Sequence, residues 1–211
     1  MTTVIIKVLV SYLLGSISGS VLIGKLRHVD IRTMGSGNAG GTNAFRTQGW
    51  VFALGVIVID IGKAILATAW IAPMSFGGAV PELSQEAIML SCGFAAVLGH
   101  CYPLFHGFRG GKGAATAVGA LTVIQPYLLI PMLLTWLLVL GVSGYVGLAT
   151  VIAGYSLVPS AWYLDGSNAL LGFTVVIALF MTFTHRSNIK RLRGGSENRF
   201  EKARFANWFR H

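Results

Sequence analysis

Three polar stretches carry the residue types that could handle a phosphate ester. The first is Gly35-Ser36-Gly37-Asn38-Ala39-Gly40-Gly41-Thr42-Asn43, with Arg46 shortly after it. Glycines let successive backbone N–H groups converge on an anion, while Ser, Thr and Asn add neutral donors. Arg46 offers a planar fork that fits phosphate oxygens. Gly35, Gly37 and Gly40 also match the dinucleotide pattern G-x-G-x-x-G, and Asp60 falls where that pattern wants an acid. The match is accidental, because no strand precedes it and Asp60 lies inside an apolar segment. A flexible Gly/Ser turn is the plainer alternative for this run.

The second stretch is Arg109-Gly110-Gly111-Lys112-Gly113-Ala114-Ala115-Thr116. It departs twice from a nucleotide phosphate loop. His106 stands where the first glycine belongs, and Gly113 follows Lys112 in place of Ser or Thr. Nucleotide hydrolysis is therefore not expected. The physics remains: Gly-rich backbone opens a helix whose first N–H groups favour an anion, and Lys112 adds a full charge. A basic cytoplasmic anchor is the alternative, more so for Arg109.

The third stretch, His185-Arg186-Ser187-Asn188-Ile189-Lys190-Arg191-Leu192, closes the last apolar segment. On a helix His185, Asn188 and Arg191 share a face. Imidazole and amide beside cations could orient a polar substrate and its hydroxyl, although a helix end ringed by interfacial cations uses the same residues. One phosphate needs only one such loop. Three on one membrane face suggest two anionic groups, or one large one, held at the lipid boundary. Asp60 and Lys63 are ionisable residues within an apolar segment and so functional suspects, but a mutual ion pair explains both. His100, Cys101 and His106 match no zinc spacing and lack a supporting carboxylate, so no metal is expected. No Ser-His-Asp set or carboxylate pair is visible, and no cofactor is expected.

Apolar helices have to position these stretches. Hydrophobic residues make up 54% of the chain and charged residues 11%, under half of the roughly 25% usual in a soluble domain. Mean hydropathy is +0.70. A cytosolic enzyme, a disordered chain and a disulfide-rich secreted module all fit poorly. The chain reads as one integral membrane domain over 1–211, with a basic cytoplasmic tail at 198–211. A net charge of +9 would suggest nucleic acid if it were spread over a soluble surface. Here it is segregated into loops and tail, so no nucleic-acid partner is expected. Cys92 and Cys101 read as small core residues, and residues 1–24, lacking a cleavage signal, as a retained span.

Apolar segments run roughly over 4–24, 50–73, 87–105, 114–124, 127–142, 148–164 and 169–184. Lys and Arg favour cytoplasmic loops, which places 25–46, 106–113 and the tail from Arg186 inside. Glu82, Glu86 and Asp165 fall in segments without Lys or Arg, which suits the outside. One span over 114–142 would carry the basic tail outside, whereas a break at Gln125-Pro126 keeps it inside. The expected fold is an all-α polytopic membrane protein with seven transmembrane segments, N-terminus outside and C-terminus cytoplasmic. Segment 114–124 is about 16 Å long at roughly 1.5 Å per residue. That is too short for about 30 Å of hydrocarbon, so a short or tilted helix is expected.

Together the three stretches resemble the bacterial acyl-phosphate-dependent glycerol-3-phosphate acyltransferases. The family's first motif, Ser-Gly-Asn-x-Gly-x-Thr-Asn-x-x-Arg, is similar to the run from Ser36 to Arg46. The second, Gly-His-x-Tyr-Pro followed by Gly-Gly-Lys-Gly-x-Ala-Thr, resembles Gly99 to Pro103 and Gly110 to Thr116. The third, His-x-x-Asn-Ile-x-Arg-Leu-x-x-Gly-x-Glu, is met from His185 to Glu197. One departure stands out: where the family usually has Arg-Tyr-x-Ser-Leu-x-Ser, this chain has Gly144-Tyr145-Val146-Gly147-Leu148-Ala149-Thr150. Thr150 keeps one hydroxyl, while Gly144 and Gly147 lose a charge and a hydroxyl. The tail beyond Glu197 is also longer than the family leads one to expect.

The resemblance implies transfer of a fatty acyl group from acyl phosphate to the sn-1 hydroxyl of glycerol 3-phosphate. Lysophosphatidic acid and phosphate are the implied products, in a bacterial inner membrane with the site facing the cytoplasm. Ser36, Arg46, Lys112, His185 and Asn188 are the implied catalytic residues. Gly37, Asn38, Gly40, Thr42, Asn43, Gly110, Gly111, Gly113, Thr116, Thr150 and Arg191 would line the substrates. Acyl phosphate, glycerol 3-phosphate and membrane lipid are the implied partners of a monomer. The main rival, an organophosphate transporter, would need equivalent anion loops on both faces. The presumed outer connections lack Lys and Arg. The His-x4-Asp motif of acyl-CoA-dependent enzymes is absent: His100 is followed by Phe105, and His185 by Lys190, at that spacing.

Overall fold

A computed structural model describes residues 1–75, 83–164 and 166–205, with Lys202 described by its backbone alone. Glu82, Asp165 and Arg210, on which part of the topology reading rests, lie outside those residues. Among the described residues every regular element is a helix, the form in which a chain surrounded by hydrocarbon satisfies its own backbone. Contacts divide the chain into two compact units, Met1–Gln125 and Pro126–His211. The division falls at the Gln125-Pro126 break.

In the first unit, α1 (Thr2–Gly15) and α2 (Gly19–Leu26) form a pair bent by 40°. The sequence suggested one uninterrupted span there, and the difference has a local cause. Ser16 Oγ donates to Tyr12 O at 3.0 Å and accepts the Leu104 N–H at 3.2 Å, bonds that compete with the helix ladder. Lys63 Nζ donates to the Ile17 carbonyl at 2.8 Å. Gly19 N–H reaches Asp60 Oδ1 at 3.4 Å. The buried Asp60–Lys63 ion pair, 3.0 Å apart, therefore caps a broken helix from the neighbouring one.

The unit continues with α3 (Gly41–Gln48), α4 (Trp50–Leu66, extended by a π turn at Ala67–Ile71), α5 (Gln85–Cys101) and α6 (Ala114–Ile124). Small residues let these helices approach closely. Ala64, Ala67, Ala96 and Ala120 form one fully buried cluster. A methyl group on Gly15 would strike the Ala96 backbone, and one on Gly119 the Ile61 carbonyl. Lipid provides no hydrophobic drive between helices, so close van der Waals packing of this kind supplies much of the cohesion. Lys7, buried on α1, donates to the Ala72 carbonyl at 2.7 Å.

The second unit comprises α7 (Leu129–Ser143), α8 (Val146–Tyr163), α9 (Asn168–Thr184) and α10 (Arg186–Arg193). Ser167 caps α9 by accepting the Leu170 N–H at 3.0 Å. Ile130, Leu133, Leu134, Leu137 and Leu138 of α7 are exposed, as suits a helix solvated by lipid. α9 and α10 meet at 56°, with His185 at the joint.

Among the described residues four segments, Trp50–Ile71, Gln85–His106, Pro126–Ser143 and Val146–Tyr163, are long and apolar enough to cross a membrane. Counting the α1–α2 and α9–α10 pairs as one span each gives six. α6, with 11 residues, has the bounds expected of the short segment. Among the described residues this membrane protein is thus all-helical with four to six candidate spans; reaching seven requires α6 to count as a crossing.

Candidate functional site

In the first unit, the polar loop before α3 is tied down by its own side chains. Asp30 accepts the Arg32 N–H at 3.0 Å and grips the Arg32 guanidinium, with contacts at 2.9, 3.2 and 2.7 Å. The side-chain bond from Arg32 holds the Asp30 carboxyl below its ordinary pKa. Gly35 and Gly37 take φ of +56° and +71°, a region costly for other residues. Asn43, 1% exposed, spends its amide inside the loop. Nδ2 donates to Ile31 O at 2.9 Å and Met34 O at 3.0 Å, and Oδ1 accepts the Ser36 N–H at 2.9 Å. α3 then opens on Gly40 without a side-chain cap, so its first N–H groups are donors for an outside acceptor. Ser36, Gly37, Thr42 and Arg46 are exposed, and Asn38 and Gly40 half-buried.

The second loop of this unit is built on His100. Gly111 N–H donates to His100 O at 3.1 Å. A methyl group on Gly110 would strike that carbonyl, and one on Gly111 would strike His100 Nε2. Both glycines are therefore required by the close approach of His100. Gly113, at φ +90°, is the N-cap of α6, which also lacks a side-chain cap. Lys112 is half-buried and Arg109 exposed. In the first turn of α6 the Thr116 hydroxyl is buried without a hydrogen-bond partner. His100 Nδ1 lies 2.9 Å from Lys63 Nζ and 3.3 Å from Asp60 Oδ1. The residues suspected from their intramembrane charge thus stand directly behind the glycine loop.

In the second unit the residues of the third motif meet around Glu197. Asn188 Nδ2 donates to Glu197 Oε1 at 2.6 Å, and Arg191 Nε to Oε2 at 2.7 Å. The Glu197 side chain is 4% exposed, so one carboxylate holds amide and guanidinium together. His185, 5% exposed, has Nδ1 at 2.8 Å from Met181 O. A carbonyl can only accept, so Nδ1 carries a proton, and in the neutral ring Nε2 is the acceptor. Thr150 Oγ1 donates to Val146 O at 2.9 Å and accepts from Trp136 Nε1 at 3.2 Å.

The departures at 144 and 147 have structural counterparts in this unit. A Cβ on Gly147 would lie 2.8–2.9 Å from Asn188 side-chain atoms, so glycine gives Asn188 its seat. Gly144 has φ +77°, and its missing Cβ would lie 2.9 Å from Arg199 Cγ and 3.1 Å from Arg204 Cγ. Phe200 N–H bonds Gly144 O at 2.7 Å, and Arg199 Nε bonds Ser143 O at 3.0 Å. Residues 198–205 of the extra tail fold back on the α7–α8 turn and bring arginines to the place where the resemblance expects one.

Glu197 as an organiser was not anticipated, though an acid among tail cations was a visible signal. The resemblance puts His100 in one motif with the Gly110–Thr116 loop, but the sequence offers nothing that ties Asp60 and Lys63 to it. Among the described residues no group of three or more His, Cys, Asp or Glu is placed to hold a metal.

The sequence matches the family described as glycerol-3-phosphate acyltransferase over residues 5–195. A glycerol-3-phosphate acyltransferase of Chlorobium luteolum is 38% identical, covering 94% of this chain and 97% of the relative. One from Chlorobaculum tepidum is 37% identical over 97% and 99%. The fold is similar to the crystal structure of PlsY (YgiH), an integral membrane glycerol 3-phosphate acyltransferase, in its glycerol 3-phosphate form. That comparison has a TM-score of 0.81 at 34% identity, covering 93% of this chain and 95% of the other. The lysophosphatidic acid form of the same enzyme matches with a TM-score of 0.79 at 33% identity, over 93% and 94%.

Proposed function

The chain belongs to the glycerol-3-phosphate acyltransferase family, and we propose that its acyl donor is acyl phosphate. The acyl group goes to the sn-1 hydroxyl of glycerol 3-phosphate, giving lysophosphatidic acid and inorganic phosphate for phospholipid synthesis. One observation carries the reading: each polar glycine-rich loop of the first unit runs into a helix, α3 or α6, that opens on glycine without a side-chain cap and has a cation close in sequence. Such openings hold phosphate.

Acyl phosphate is already activated, so the protein mainly positions phosphates and stabilises charge on the carbonyl and the leaving group. Ser36, Gly37, Asn38, Gly40, Thr42 and Arg46 hold one phosphate, with Asn43 keeping that loop in shape. Gly110, Gly111, Gly113 and Lys112 stabilise negative charge at the reacting centre, and Thr116 supports the opening of α6. In the second unit His185, Asn188 and Arg191 bind glycerol 3-phosphate, and Thr150 supports the wall. The sn-1 hydroxyl donates its hydrogen bond to His185 Nε2. Its oxygen attacks the acyl carbon, the ester C–O bond forms, and the acyl C–O bond to phosphate breaks. The hydroxyl proton ends on the departing phosphate, by way of Nε2 or directly.

The chain contains 16 Lys and Arg against 7 Asp and Glu, which suits a reaction that needs no carboxylate base. We place the site on the cytoplasmic side of the inner membrane, within a single seven-span domain acting as a monomer. The deciding assay supplies purified protein with glycerol 3-phosphate and either acyl phosphate or acyl-CoA. Lysophosphatidic acid is expected from acyl phosphate alone, and its absence there overturns the donor assignment. A reporter fused after Asp165 is expected outside; a cytoplasmic reporter rejects the topology.

A further inference from the structure

Lys63, Asp60 and His100 lie behind the Gly110–Lys112 loop without a part in the reaction just described. Their geometry fixes where the imidazole keeps its proton. Lys63 Nζ has three hydrogens and three partners: Ile17 O at 2.8 Å, Asp60 Oδ1 at 3.0 Å and His100 Nδ1 at 2.9 Å. A proton on Nδ1 would point at Asp60 over the longer 3.3 Å contact and clash with the ammonium. A doubly protonated ring would place two cations in contact. Nδ1 is therefore the acceptor, and neutral imidazole carries its proton on Nε2. Nε2 is the atom that fills the place of a Cβ on Gly111. Among the described residues no hydrogen bond is made to Nε2.

We propose that His100 is an anion-binding residue of the second loop, giving its Nε2–H to the phosphate beside Gly111 and Lys112. The main-chain bond from Gly111 N–H to His100 O locks the loop to the same residue, so donor and loop move as one. Asp60 and Lys63 act through it as positioning residues that set the tautomer. The ligand class is a phosphate monoester or acyl phosphate. The proposal rests on the loop meeting phosphate, whether or not the protein proves to transfer acyl groups from acyl phosphate.

The test is direct in the intact protein with 15N-labelled histidine. His100 is assigned by eliminating His28, His106, His185 and His211. The expected spectrum shows the Nε2–H tautomer, and inorganic phosphate shifts that resonance. An Nδ1–H tautomer, or a resonance blind to phosphate, overturns the proposal. A phosphate-dependent shift in a protein inactive with acyl phosphate retains the site and rejects only the donor assignment. Kinetics supply a second arm. His100→Asn keeps an acceptor for Lys63 but is too short to place a donor at the Nε2 position, and raises both the KM for acyl phosphate and the inhibition constant of phosphate by about tenfold. His100→Gln, whose amide reaches the Nε2 position, restores most of that loss. If His100→Asn leaves both constants at wild-type values, the proposal is wrong.

Discussion

His100 in the first unit and His185 in the second are both 5% exposed, yet they are wired in opposite senses. The Nδ1 atom of His100 faces an ammonium and must accept, whereas that of His185 faces the Met181 carbonyl and must donate. The first ring is left with an N–H at Nε2, and the second, in its neutral form, with an acceptor there. Identical side chains thus become a donor suited to phosphate and an acceptor suited to a hydroxyl. A neighbour in each case, a lysine or a backbone carbonyl, makes the choice.

The comparison breaks most sharply at His185. His185→Ala is expected to lower kcat about 10²–10⁴-fold and to leave the KM for acyl phosphate near wild type. Full turnover at saturating substrate would show that Nε2 takes no proton. Next comes the carboxylate that holds Asn188 and Arg191. Glu197→Gln keeps one acceptor oxygen and turns an NH2 towards the other donor, so it should cost about ten- to hundredfold in kcat/KM for glycerol 3-phosphate. The KM for acyl phosphate should hold, and a change there instead would move Glu197 out of the glycerol 3-phosphate half.

Gly147→Ser restores the hydroxyl usual in the related enzymes, but Asn188 occupies the space. Here the restored serine should lower kcat/KM for glycerol 3-phosphate about five- to tenfold through crowding; an improvement would mean Asn188 has another seat. The smallest effect belongs to Asp30. Its folded pKa lies below the unfolded value of about 3.9, so its contribution is present above that pH and fades as pH falls through the folded pKa. Asp30→Asn should lower the melting temperature slightly at pH 7, and the difference from wild type should vanish below the folded pKa. A difference that grows in acid would contradict the Arg32 pairing.

Element boundaries were legible wherever glycine, proline or serine marks them. The π-extended α4 begins after Gly49, α6 runs between Gly113 and Gln125, and Pro126 opens the second unit. The motif residues were legible as a set of donors. Their division of labour was less so, because it depends on contacts between residues distant in sequence. The bend at Ser16–Ser18 falls in a Gly/Ser cluster, Gly15 to Ser20, inside a stretch that reads as one span, and the lysine that binds the Ile17 carbonyl there is 46 residues away. Asn43 reads as a ligand donor until its amide is found bonded within its own loop. The tail's return to Gly144 follows no local pattern at all, since Arg199 and Ser143 are 56 residues apart.

That bend has a consequence for synthesis. A ribosome delivers the first apolar stretch to the bilayer before Lys63 exists. With no ammonium to receive it, the Ile17 carbonyl would stand bare in hydrocarbon, at a cost of several kcal/mol. The newborn segment is therefore expected to cross as a straight rod, and to fold at its serines only when α4 arrives. The shape of the N-terminus is in this sense inherited from residues made later, and a chain halted before Lys63 should keep the unbent helix.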